Sequence, residues 1–186
     1  MKKFLSFSWE FIKMLVLSLA IILPVRAFLI QPFYVKGASM EPNFFDHEYL
    51  IVDEISYRFN EPTRGEIVVF RYPLNPQEFF IKRIIALPGE SIQFKDGRIY
   101  IYNLQNPQGF LLDEPYLDES LLTSASTDAK ILLGANEYYL LGDNRMASKD
   151  SRIFGPVNKS FIIGKVFFRG LPVSRITTFK NVEYKY

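Results

Sequence analysis

From Phe11 to Ile30 the chain reads FIKMLVLSLAIILPVRAFLI. A segment apolar on every side is stable only inside a large fold or in lipid, and its length is close to the roughly 20 residues that cross a bilayer as a helix. Lys13 and Arg26 leave only Met14 to Val25 free of charge, so both are expected near the interfaces, their stems reaching toward headgroups. Lys2, Lys3 and Lys13 form a basic flank, and such a flank marks the cytoplasmic side. The expected topology is a single pass through the cell membrane, N-terminus cytoplasmic, with everything after Arg26 on the extracytoplasmic face. A removable signal peptide ending near Val25-Arg26-Ala27 is the competing reading. An interfacial amphipathic helix fits less well, because the uncharged stretch has no polar face.

Beyond the anchor the apolar period changes from that of a helix to that of strands. Phe33–Val35, Tyr49–Val52, Glu66–Tyr72, Phe79–Leu87, Ser91–Phe94, Arg98–Tyr102, Glu137–Leu141 and Phe161–Phe168 are short runs rich in Val, Ile, Phe and Tyr. Turn formers separate them, and Asp96-Gly97 between two such runs predicts a hairpin. The fold class is therefore mainly β: an antiparallel β domain carried on one N-terminal transmembrane helix. The division is an N-terminus and anchor over 1–30, a β domain over 31–175, and a polar C-terminal tail over 176–186. Residues 103–136, with Pro107, Gly109, Pro115 and a polar stretch, read as a long insertion.

Composition narrows the chemistry. A net charge of +2 from 22 basic and 20 acidic residues gives no basic field, so nucleic acid is not expected as a partner. There is no cysteine and one histidine, His47, which excludes thiolate and multi-histidine metal sites and leaves a Ser-His-Asp triad a single candidate base. His47 lies in the polar stretch Asp46-His47-Glu48 and reads as an exposed turn residue.

Lys82 stands out in Phe80-Ile81-Lys82-Arg83-Ile84-Ile85, where strand alternation sets it on the face of Phe80 and Ile84, with Arg83 on the other. Strand lysines usually keep the amine in water. A buried one loses the ammonium form and becomes a general base near neutral pH, and Ser39 in Gly37-Ala38-Ser39-Met40-Glu41-Pro42 offers a hydroxyl for it to activate. A third segment, Gly142-Asp143-Asn144-Arg145-Met146-Ala147-Ser148-Lys149-Asp150-Ser151-Arg152, is dense in turn formers, charges and hydroxyls.

In this order behind an N-terminal span, the three segments resemble the bacterial type I signal peptidases, or leader peptidases, over the chain up to about Gly170. The resemblance implies a membrane-anchored serine endopeptidase with a Ser-Lys dyad on a β-rich fold, cutting signal peptides from exported preproteins after small-x-small motifs. It implies Ser39 as nucleophile, Lys82 as general base working as a neutral amine, and Ser148 as the hydroxyl that orients the lysine. Asp143, Asp150 and Arg152 match a charge cluster engaging Arg83, and Phe33, Val35, Phe44 and Ile81 match positions lining the substrate pockets. No cofactor or metal is implied. The implied partners are signal peptides, the lipid bilayer and the neighbourhood of the secretion translocon. The chain departs from the common pattern at Lys36 and Gly37, where many members resemble proline and serine; Gly37 removes a side chain that supports the oxyanion in some members. A self-cleaving regulator with the same dyad, or an inactive membrane-tethered scaffold, are the alternatives; the first lacks room for a DNA-reading module, and retention of Ser39, Lys82 and Ser148 argues against the second.

Overall fold

In the computed structural model, which describes residues 2–28, 30–179 and 184, the chain opens with helix α1 (Lys2–Phe28). Strands β1 (Ile30–Tyr34), β2 (Tyr49–Asp53), β3 (Ile67–Tyr72), β4 (Asn75–Ala86), β5 (Ser91–Lys95), β6 (Arg98–Tyr102), β7 (Phe110–Leu111), β8 (Ile131–Leu132) and β9 (Glu137–Leu141) come next. The short helix α2 (Ser151–Phe154), then β10 (Val157–Asn158), β11 (Ile162–Leu171) and β12 (Thr177–Thr178) complete the order. One sheet runs β1-β2-β11-β3-β4-β9-β10 with β12 on β11; the other runs β7-β6-β5-β8. Every pairing is antiparallel.

β3 reads Ile-Val-Val-Phe without polar alternation because both of its faces are covered. Ile67 and Val69 join Val35, Met40, Phe44, Leu50, Val52 and Val166 on one side, while Val68 and Phe70 join Ile84, Tyr138, Leu140 and Val157 on the other. A third core, beneath the smaller sheet, packs Ile85, Tyr139 and Leu141 against Ile92, Phe94, Ile99 and Ile101. The Asp96-Gly97 hairpin forms as expected, with Lys95 opposite Arg98 and both turn residues at positive φ, 51° and 71°. That is the backbone a two-residue turn needs to follow strand twist. The 103–136 segment does more than pass over the surface: it supplies β7 and β8 as the outer strands of the smaller sheet, and Leu112 and Leu133 to the core beneath it.

Two surfaces are left without a partner among the described residues. Strand β9 pairs with β4 only from Arg83 to Ala86, so the outer edge of β4 from Asn75 to Lys82 has no partner strand there. Along α1 the large apolar side chains from Phe7 to Leu19 are 44–71% exposed. No helix among the described residues is long and apolar enough to cross a membrane.

Candidate active site

Ser39 sits in the loop joining β1 to β2, and Lys82 lies on β4 where β9 parts from it. The Lys82 Nζ donates to Ser39 Oγ at 2.7 Å and to the Ile81 carbonyl at 2.8 Å. Lys82 is only 3% exposed, and its neighbours on that face are apolar, with Val68 opposite it in the ladder and the Phe80 ring 5.5 Å from its amine. Burial pulls the ammonium down from 10.5 to about 8, opposed by the carboxylates of Asp150 and then Asp143, which favour the charged form. At pH 7 the unliganded lysine is thus mostly protonated, with a neutral fraction far above that of a surface lysine. An amine poised near pH 8 and already in contact with a hydroxyl is a competent general base.

Arg83, one residue on, has a different environment, as alternation requires. Its Nε and Nη2 donate to both oxygens of Asp143 at 2.8 and 2.6 Å, its Nη1 donates to the Gly65 carbonyl at 3.0 Å, and the guanidinium stacks 3.7 Å from the Tyr116 ring centre. Arg83 and Asp143 are both buried. Asp150 does not join this pair. It accepts from Arg152 Nε and Nη2, both at 2.8 Å, and from the Gly142 amide at 3.1 Å. Burial, the largest single influence, pushes its carboxyl up, but the bonds and charge of Arg152 together with the Gly142 amide and Ser148 hold it below the ordinary value. The expected cluster around Arg83 is therefore two separate pairs, Arg83–Asp143, buried on both sides, and Arg152–Asp150, buried at the aspartate.

Ser148 lies close to the Ser39 loop without a hydrogen bond to Lys82. Its hydroxyl is among the buried groups with no bond of good geometry, although it contributes to stabilising the Asp150 carboxylate. The crowding here explains Gly142: a Cβ on it would stand 2.2 Å from Ser148 Oγ and 2.4 Å from the Ser39 carbonyl. Only a glycine lets the β9 end pass between the two serines.

A cleft of about 500 Å³ opens over Ser39 and Lys82, with Phe33, Val35, Leu50, Val69, Phe79 and Ile81 among its apolar walls. Three of the four expected pocket residues, Phe33, Val35 and Ile81, line it. Phe44 does not: it is fully buried in the core behind the loop, its ring 4.7 Å from that of Phe179. Gly37 lines the cleft with φ at +86° and open space where a Cβ would point. Its left-handed backbone, rather than lack of room, disfavours a serine there. The amide of Gly37 donates to Asp46 Oδ1 at 2.9 Å, and His47, expected as an exposed turn residue, is exposed and pairs with Asp46 at 2.9 Å.

Sequence reasoning missed the groups that fix the loop carrying Ser39. Asn144 holds the backbone on either side of Ser39, its amide donating to the Ser39 carbonyl and its Nδ2 to the Ala38 carbonyl, both at 3.1 Å. Asn43 donates through Nδ2 to Asp143 at 2.9 Å and to the Tyr116 carbonyl at 3.0 Å, while its own carbonyl accepts from Arg169 at 2.5 Å. Glu48, 1% exposed, forms ion pairs at 2.8 Å with Arg169 and Arg175, close contacts without aligned hydrogen bonds. These partners lie up to 132 residues apart in the chain, and no local pattern links them.

The family profile described as "Signal peptidase, peptidase S26" matches residues 8–171. The chain belongs to this family. The peptidase is 34% identical over 169 residues to a probable signal peptidase I-2 of Synechocystis sp., covering 88% of this chain and 73% of the relative. It is 33% identical over 189 residues to signal peptidase IB of Staphylococcus aureus, covering 94% and 95% of the two chains. A solved signal peptidase I structure from Enterococcus faecalis V583 is similar at 29% identity with a TM-score of 0.46, over 57% of this chain and 97% of its own. Membership makes the peptidase a hydrolase, a serine endopeptidase.

Proposed function

We propose that this signal peptidase removes the signal peptides of exported preproteins through a Ser39–Lys82 dyad, from a position anchored in the membrane. The observation that carries the dyad is the 2.7 Å contact between a buried lysine amine and the serine hydroxyl. In acylation Lys82 takes the Ser39 proton as Oγ bonds to the scissile carbonyl carbon; the C–N bond then breaks and the departing amine receives that proton. In deacylation a water gives its proton to Lys82 while its oxygen attacks the ester, and Ser39 regains the proton as the acyl group leaves. Substrate filling the cleft removes water around Lys82 and moves it further toward the neutral form.

Phe33, Val35 and Ile81 line the apolar side of the cleft, and shallow apolar walls select small side chains by sterics. The small-x-small preference rests on this and on the family resemblance. The substrate backbone would add as a strand to the unpaired edge of β4, a recognition mode that needs an extended peptide. Ser148, Asp143, Asp150, Arg83 and Arg152 support the dyad by packing and charge around it.

The anchor reading rests on the apolar run from Phe11 to Ile30 and on the exposed apolar side chains along α1, which need an apolar surrounding. The division into an anchor over 1–30, a catalytic domain over 31–175 and a tail over 176–186 belongs to the same reading, with lipid and the export machinery as neighbours. The test is cleavage of a preprotein with an Ala-x-Ala site by the full chain in detergent. Cleavage at that site, abolished by Ser39→Ala and by Lys82→Ala, is the expected result; near-normal activity of Lys82→Ala refutes the dyad. Protease added outside intact cells should digest the chain after Arg26, and full protection refutes the topology.

A further inference from the structure

The charge of the cleft is one-sided. Lys36, Lys82 and Lys149 line it, and no aspartate or glutamate is among the described residues that do. Lys36 and Lys149 are exposed, one just before the nucleophile loop and one just after Ser148, and both line the same cleft as Ser39. The Lys149 amine is steadied 4.3 Å from the Tyr72 ring centre, a contact that leaves its charge without a carboxylate partner among the described residues.

The nearby acids lie outside the cleft lining. Asp143 and Asp150 are held by Arg83 and Arg152, Asp46 takes the Gly37 amide and His47, and Glu78 accepts from Asn75. Two exposed lysines and a buried third are therefore the nearest charges that a bound peptide meets in the cleft. Like-signed side chains brought within a few ångströms repel and opposite ones attract, and a concave site with apolar walls focuses the field.

Resting on the reading of this cleft as the site of signal-peptide cleavage, we propose that Lys36 and Lys149 determine specificity by charge. They favour acidic residues, and reject basic ones, at the substrate positions that flank the scissile bond and point out of the small pockets. The selection adds to the steric preference for small residues and is independent of it, because it uses rim groups and not the apolar wall.

The test uses internally quenched peptides with alanine at the first and third positions before the cut. Each carries Glu, Gln or Lys at the second position before it, or at the first or second after it. Full-length peptidase in detergent is assayed for kcat/KM at low and high salt. At one or more of these positions the Glu peptide should be cut roughly tenfold faster than the Lys peptide at low ionic strength, with Gln between them. That figure is what two exposed charges supply, and it should shrink at 0.5 M salt on the order of the screening expected. In Lys36→Glu/Lys149→Glu the Glu-to-Lys ratio should invert; taking a ratio cancels any change in overall rate. A ratio within about twofold at all three positions, or one the double variant leaves unchanged, overturns the charge proposal while cleavage of the Gln peptides keeps the peptidase reading. Failure of wild type to cut any of the peptides overturns both.

Discussion

Replacing Lys82 by methionine keeps an unbranched apolar stem and removes the amine, and the structure says what this does to stability as well as to catalysis. The folded lysine titrates at about 8 instead of 10.5, and each pKa unit between folded and unfolded states is about 1.4 kcal/mol. Below pH 8 the lysine is protonated in both states, so the folded protein carries the full cost of burying an ammonium, about 3 kcal/mol. Between about pH 8 and 10.5 the unfolded chain binds more protons than the folded one, so wild-type stability rises with pH and the cost fades. Lys82→Met has no such dependence. It also forfeits the bonds to Ser39 Oγ and the Ile81 carbonyl, an offset of about 1 kcal/mol each that does not vary with pH in this range. The expected result is an inactive variant whose stability, relative to wild type, is about 2 kcal/mol greater at pH 6.5 than at pH 9.5. Urea unfolding of both proteins in the same detergent, followed by circular dichroism and by the fluorescence of the tyrosines in the β domain, measures this. A difference in stability that is the same at both pH values refutes the claim that Lys82 is buried at an energetic cost. The same titration predicts that wild-type kcat/KM climbs about tenfold per pH unit below 8 and levels off above it.

The surrounding packing gives two more expected outcomes. Gly142→Ala forces a methyl group between Ser148 and the Ser39 carbonyl, so kcat for preprotein cleavage should fall by on the order of a hundredfold with the fold retained; unchanged kcat refutes the close approach. Asp143→Ala leaves the buried Arg83 without its bidentate partner and should cost about 3–5 kcal/mol in urea unfolding. A loss under about 1 kcal/mol would mean that the arginine reaches water.

The parts of this site legible in the sequence are those governed by short-range rules. Alternation along β4 gave Lys82 and Arg83 opposite surroundings, and each has the neighbours that a two-residue period requires: Phe80 and Val68 beside the lysine, Asp143 and Tyr116 around the arginine. Asp96-Gly97 specified its turn because so few residue pairs accept two positive φ angles. The illegible parts depend on distant partners. β7 and β8 are two residues long, too short for any period to register, and their pairing is decided by the core above which they close. Phe44 stands next to the nucleophile loop in sequence yet turns inward, because Arg169 and Phe179, more than a hundred residues away, pack against it. Asp150 and Asp143 looked alike as counter-charges; a local bond to Arg152 two residues on claims the first.

If substrate adds to the unpartnered edge of β4 beside Ser39 and Lys82, as proposed, that edge reads the state of a chain before it reads its side chains. A motif lying within a folded protein's own strands offers nothing extended to complete that edge, so it would escape cleavage. A polypeptide still emerging, with its backbone unpaired, fits at once. Under the proposed binding mode, the time a segment has before it folds limits its cleavage, and the peptidase would act as a clock as well as a cutter.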